Sequence, residues 1–227
     1  GNRRDFERTN DYTFVGELTA PGTFDISNAA NPPERVTAVS RKRVNSLYGQ
    51  ADFGYEDYLF LTLTGRNDWS STLPEANRSY FYPSVSGSFV FTEVVEALQD
   101  SPLTYGKLRA SWAQVGNDTQ PYRLRNTFAA DEIWNGLTSF SVPGRLENPD
   151  LKPETTESWE FGTELAFLDN RLGLDVTFYR EETRDQVMPV QLSPASGYDS
   201  RMINAGSVEN KGWEVMVRGT PYSSRDF

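Results

Sequence analysis

Residues 158–181 read SWEFGTELAFLDNRLGLDVTFYRE. Trp159, Phe161, Leu165 and Phe167 alternate with Ser158, Glu160 and Glu164. After Leu168-Asp169-Asn170-Arg171 the pattern resumes, with Leu172, Leu174, Val176 and Phe178 against Asp175, Thr177 and Tyr179. Period-two alternation sends successive side chains to opposite faces of a strand. The stretch therefore predicts two antiparallel strands joined by a short turn, each with an apolar and a polar face.

Outward from this hairpin the pattern recurs over Leu47–Tyr55, Tyr58–Arg66, Ser84–Phe91, Lys107–Val115 and Gly212–Arg218, which makes seven predicted strands. Only Thr92–Gln99 predicts a helix, of about two turns, capped by Thr92 and stopped by Pro102. Alternation alone fits a sandwich with a dry interior or a membrane barrel with lipid outside and water inside. The connections separate the two. Glu56-Asp57, the helical piece and Leu168–Arg171 are short, Asn67–Pro83, Gly116–Glu157 and Glu182–Lys211 are long, and the two kinds alternate. An up-and-down membrane barrel puts its short turns at the periplasmic rim and its long loops at the extracellular one, whereas Greek-key crossovers impose no such sorting. Rings cluster at both strand ends, Tyr55, Tyr58, Phe89, Phe91, Tyr105 and Phe167 at one and Tyr80–Tyr82, Trp159 and Phe178 at the other. They fit two interfacial girdles and a sandwich core equally.

Composition removes most covalent chemistry. The 227 residues include no Cys and no His, which excludes thiol nucleophiles, disulfides, imidazole bases and the usual zinc sites. Lys and Arg number 22 against 32 Asp and Glu, and a net charge of -10 argues against nucleic acid as a partner. No apolar run reaches the length of a membrane helix, and no signal-peptide pattern opens the segment.

Two strings are specific. Asn148-Pro149-Asp150-Leu151-Lys152-Pro153-Glu154-Thr155, followed by Glu157-Ser158-Trp159-Glu160-Phe161-Gly162, resembles the loop-to-strand passage in the barrel of TonB-dependent outer-membrane receptors. Ile203-Asn204-Ala205-Gly206-Ser207-Val208-Glu209-Asn210-Lys211-Gly212-Trp213-Glu214 is similar to the SusC-like or RagA-like subset. Arg66–Ser71 (RNDWSS), Tyr82–Ser86 (YPSVS) and Leu108–Asp118 (LRASWAQVGND) match in family order, so the resemblance spans Val44–Gly219. It implies an all-β, antiparallel up-and-down transmembrane barrel of about 22 strands, of which these residues are an incomplete portion without the plug domain. Residues 1–43 are expected to be mostly extracellular loop and 44–219 strands and loops, with a next strand opening near Phe227. The resemblance further implies TonB-dependent import of an oligosaccharide or peptide, a SusD-like surface lipoprotein as lid, the TonB-ExbB-ExbD complex acting through the plug, outer-membrane lipid around the wall, and no cofactor. A soluble carbohydrate-binding β-sandwich is the alternative.

No residue is expected to be catalytic: Glu160 and Glu164 lie roughly 13 Å apart along one strand, too far for a glycosidase pair. Glu181, Glu182 and Asp185 read as solvated loop-base charges. Asn117-Asp118 and Asp131-Glu132 supply oxygen ligands, but a solvated loop is favoured over calcium and no metal site is expected. Thr62, Thr64, Arg109, Glu160, Glu164 and Asp175 are expected on the lumen wall. Trp69, Trp134, Tyr122 and Tyr198 fall in the long connections as candidate substrate-stacking rings. Arg66 and Asp68 sit just below the first long loop, placed to bind a passing polar substrate or to pair with each other. In the two strings, Pro149, Pro153, Asn148 and Asp150 fit a rigid lead-in to a strand better than a ligand-contacting loop.

Overall fold

Glu56 and Asp57 adopt positive φ values of 44° and 57°, the paired left-handed geometry of the tightest hairpin turn. Leu168, Asp169 and Asn170 do the same at 55°, 54° and 64°. These two reversals, with segments 91–98 and 101–102, form one end of the described sheet. The computed structural model describes residues 1–13, 17–31, 34–98 and 101–220. Its strands are β1 (Asn2–Thr13), β2 (Glu34–Tyr55), β3 (Leu59–Ser70), β4 (Ser79–Val90), β5 (Leu103–Asn117), β6 (Ala129–Trp134), β7 (Leu137–Ser141), β8 (Arg145–Leu146), β9 (Glu154–Phe167), β10 (Leu172–Arg184), β11 (Val187–Gln191), β12 (Ser200–Asn204) and β13 (Ser207–Gly219). Eight form one open antiparallel sheet in the order β1-β2-β3-β4-β5-β9-β10-β13, each paired with its predecessor in that order. The described residues 17–31 and the connections 71–78, 118–153 and 185–206 lie at the end opposite the tight turns. The up-and-down order and the sorting of connections expected from the sequence are therefore present.

Register carries the two faces across the sheet. Leu61, Gly87, Ala110, Phe161, Phe178 and Trp213 are successive cross-strand partners and share one face. Thr62, Ser86, Ser111, Glu160 and Tyr179 are the corresponding row on the other. The apolar face has no second layer among the described residues. Leu61 is 38% exposed, Phe161 49% and Trp213 70%, which leaves large rings and leucines bare in water. Tyr80 and Tyr82 lie on the polar face, since they share parity with Ser84, so only Phe81 of that trio belongs with the apolar rings.

Four expectations are corrected. There are eight main strands, not seven, because Asn2–Thr13 pairs with Glu34–Asn45, so much of 1–43 is strand and not loop. Most of this hairpin lies beyond the β2–β3 pairing, which begins at Val44 and overlaps it only at Val44 and Asn45. Its sequence does not alternate because both of its faces meet water, so period two carried no signal there. Strands β3, β9, β10 and β13 also run past their alternating parts, to Ser70, from Glu154, to Arg184 and from Ser207; in β3 the pattern breaks because the polar Asn67 stands on the apolar face. The predicted helix is two 3-10 turns, Phe91–Glu93 and Glu96–Leu98. Thr92 does not cap it; its hydroxyl accepts from the Gly106 N–H at 3.1 Å. Eight residues containing Thr92, Val94 and Val95 are too short and too β-branched to sustain an α-helix. Gln99 and the strand expected near Phe227 lie outside the described residues.

Burial is concentrated at the two ends. Leu151 is fully buried and Leu73, Met202, Ser70 and Thr72 nearly so at the long-connection end. Val90 and Ala166 are buried at the other.

Candidate functional site

The polar face is organised by arginines that lie across glycines. Arg109 of β5 faces Gly162 of β9, which faces Thr177 of β10. Its guanidinium crosses β9 and donates to both oxygens of Asp175 on β10, Nη1 at 2.9 Å and Nη2 at 2.6 Å, and from Nη2 to the Thr177 hydroxyl at 2.6 Å. A Cβ at Gly162 would stand 2.4 Å from Arg109 Nε, so only glycine lets the side chain pass. Arg218 of β13 mirrors this, crossing Gly173 of β10 to donate to Glu164 on β9 at 2.8 Å. Two opposed bridges thus tie β5, β9, β10 and β13. The glycine of the Glu160-Phe161-Gly162 string has a packing role that sequence reading did not supply.

Thr62, Thr64, Arg109, Glu160, Glu164 and Asp175 all lie on the polar face. Thr62 donates to Asp52 at 2.7 Å, and the Thr64 and Ser84 hydroxyls meet at 2.5 Å. Arg66 and Asp68 are in β3, just below the 71–78 connection, and pair with each other. Arg66 Nε donates to Asp68 Oδ1 at 2.9 Å and Nη2 to Ser46 Oγ at 3.1 Å, while the Tyr82 hydroxyl donates to Asp68 Oδ2 at 2.5 Å. Register makes Tyr48, Arg66 and Tyr82 neighbours in one row of this face, and the Tyr82 ring stacks on Tyr80 with centroids 5.9 Å apart. Tyr48 and Tyr82 were not singled out from the sequence, although their parity with Gln50 and Ser84 placed them on the polar face.

The four candidate rings do not converge. Trp69 is in β3 and shares parity with Leu59, Leu61 and Leu63, so it projects on the apolar face, away from the polar rows. The loop expected from Asn67 is shorter than predicted, 71–78, because backbone pairing continues through Trp69↔Asn45. Trp134 ends strand β6 of a β6–β7 hairpin, and its side chain lies outside the described residues, as do those of Asp131 and Glu132. Tyr198 is half-buried in the turn before β12. Tyr122 is 63% exposed at φ 65° and borders a groove of about 670 Å³ with Asp5, Glu7, Lys42 and Asp118. Asp118 is not a solvated loop charge. Its side chain is only 7% exposed, pairing with Lys42 and accepting from Ser70 Oγ. Ser70 in turn meets Thr72 Oγ1 at 2.9 Å.

The two sequence strings lock to each other. The Asn204 side chain accepts from Lys152 N at 2.9 Å and donates to the carbonyls of Lys152 and Asp185, each at 2.9 Å. Glu154 accepts from Val187 N at 2.8 Å, β8 pairs in parallel with β12, and Asn77 donates to the Leu151 carbonyl at 3.0 Å. The strings are thus fastenings of the long connections, in line with the rigid lead-in expected. Glu182, near the long-connection end of β10, is held down to about 2 by hydrogen bonds from Arg184 and Ser207.

Residues 1–225 match the family described as TonB dependent receptor-like, beta-barrel. TonB-dependent receptor P26 of Formosa agariphila is 32% identical over 214 residues, covering 92% of this chain and 21% of the relative. TonB-dependent receptor SusC of Bacteroides thetaiotaomicron is 26% identical over 203 residues, 86% of this chain and 20% of the relative. The chain thus spans about a fifth of the curated relatives it matches. Among solved structures, the RagAB peptide transporter superposes with a TM-score of 0.80 at 21% identity, over 99% of this chain and 28% of that one. A ferric enterobactin receptor of Pseudomonas aeruginosa gives 0.57 at 15% identity, over 95% and 29%. With a family match over nearly its whole length and the same sheet in the superposed structures, this chain belongs to the TonB-dependent receptor β-barrel family.

Proposed function

We propose that this chain forms part of the wall and outer rim of a receptor that imports a bulky nutrient, an oligosaccharide or a peptide, across the outer membrane of a Gram-negative bacterium. The observation that carries the reading is the two-faced sheet with sorted connections. Its bare apolar face suits lipid, its hydrogen-bonded polar face suits a water-filled lumen, and its long, internally fastened connections suit the extracellular rim. A SusD-like lipoprotein closes over that rim, and the TonB-ExbB-ExbD complex supplies energy through a plug domain. The likeness to the RagAB peptide transporter hints at a peptide, and the oligosaccharide class rests on the resemblance of the sequence to SusC-like receptors. The reaction is transport, with no covalent step. The soluble-sandwich alternative needs a second sheet over Leu61, Phe161 and Trp213, and none covers them among the described residues.

In this reading Trp69 anchors the wall at the outer lipid interface and does not touch solute. The test is uptake and growth on glycans and peptides by the source bacterium with the receptor gene deleted, with TonB removed, and with Trp69→Ala restored. Loss of one nutrient's uptake in the first two strains, and normal uptake in the third, is expected. Uptake that survives both the receptor deletion and the removal of TonB overturns the import reading.

A further inference from the structure

Segments 121–127 and 143–148 of the long connection between β5 and β9 clamp together. The Asn126 side chain donates to the Arg145 carbonyl at 2.6 Å and accepts from Glu147 N at 2.9 Å, and Asn148 N donates to the Arg123 carbonyl at 3.2 Å. Between them is a pocket of about 290 Å³ whose lining includes Tyr122, Arg123, Arg125, Asn126, Arg145 and Glu147.

Its charge distribution is unusual. Arg145 donates to Glu147 Oε1 from Nε at 2.8 Å and Nη2 at 2.6 Å, and Arg123 Nη1 lies 3.6 Å from the same oxygen. Both guanidiniums therefore converge on one carboxylate oxygen. The other, Glu147 Oε2, is buried with no hydrogen-bond partner, and the side chain is only 9% exposed. A buried unpartnered carboxylate oxygen costs free energy unless a donor is supplied. Arg125 is exposed and makes no hydrogen bond or ion pair among the described residues. Three guanidiniums against one carboxylate make the pocket cationic, which disfavours a metal ion as the missing partner of Oε2. What fits is one ligand carrying both an anionic group and a neighbouring hydroxyl.

We infer that this pocket binds an acidic sugar unit, a pyranose bearing carboxylate or sulfate. Arg125, supported by Arg123, takes the anion; Glu147 Oε2 accepts from an adjacent hydroxyl; the exposed Tyr122 ring, at the mouth, stacks on the sugar face. A peptide's terminal carboxylate and N–H share part of this chemistry, but the flat, exposed Tyr122 ring on the pocket lining favours the glycan. The inference rests on the import reading and narrows its substrate to acidic oligosaccharides.

The experiment uses the full-length receptor in detergent and calorimetric titration with a panel of equal-length oligosaccharides. The panel holds uronate-containing, sulfated and neutral members, with a tetrapeptide alongside. At least one acidic oligosaccharide is expected to bind, tenfold or more weaker in Arg125→Gln and in Glu147→Gln, with the affinity falling as salt rises. Arg125 is exposed and unpaired, so Arg125→Gln leaves folding intact, and its melting temperature checks this. Binding of neutral glycan or peptide only, binding of no acidic member, or acidic binding unchanged in both variants overturns the inference. Receptor-dependent growth on a neutral glycan or a peptide, unaffected by both variants, removes the pocket while leaving import standing.

Discussion

The tight-turn half of the sheet and its long-connection end are held together by different physics. In the former, strands are joined by their ladders and by polar-face bridges such as Arg109–Asp175, and among the described residues nothing lies against one face of leucines and rings. In the latter, side chains pack: Leu151 is fully buried, Leu73 and Met202 nearly so, and Asn204, Glu154 and Asn77 pin one connection to another. The difference shows that the wall depends on a solvent the chain does not supply, whereas the rim carries a small core of its own.

That contrast can be broken from either side. Leu151→Ala in the full-length receptor is expected to have the largest effect, destabilising the rim by about 2–5 kcal/mol. Limited proteolysis should then cut 118–153 and 185–206 faster while the wall's strand content stays constant. Equal sensitivity of both regions would show that they unfold as one. Leu61→Arg on the bare face should destabilise the wall by about 2–4 kcal/mol in a bilayer, whereas Thr62→Arg on the polar face should cost little. Equal costs at the two positions would mean that lipid does not cover the Leu61 face.

Gly162→Val sharpens the comparison within the wall. The added carbons collide with Arg109, and overpacking of this kind costs about 1–3 kcal/mol. Refolding yield in lipid reads it, and the double variant with Arg109→Ala should recover most of the loss. No recovery would mean that the glycine serves the backbone and not the bridge. The smallest effect is at the rim. The Glu182 carboxyl is depressed to about 2 from 4.5, so its contribution is complete above 4.5 and fades as the pH falls toward 2. Protection factors of the Ser207–Glu209 amides, with the intrinsic pH dependence of exchange divided out, should fall over that interval in the wild type and stay constant in Glu182→Gln.

How far the sequence was legible follows from where it alternates. Wherever one strand face is apolar and the other polar, as in Leu59–Leu63 or Trp159–Phe167, period two reported both the strand and the side of each residue. Where both faces are wet, as in Asn2–Thr13 and Ser207–Lys211, the backbone pairs just as well and the pattern is silent. Trp69 shows the cost: its strand was mistaken for a loop, so its parity with the leucines went unused.

By itself the sequence determined the two faces, the order of the strands and the sorting of short and long connections. These follow from local periodicity and turn residues, which act over a few positions. Only the tertiary structure decided that Arg109 reaches Asp175 across Gly162, that Asn204 holds Lys152, and that Arg123 and Arg145 meet at Glu147 in a pocket that Arg125 also lines. Those meetings depend on the register between strands and on how irregular connections fold against each other, and no periodicity in the chain encodes contacts between segments that far apart.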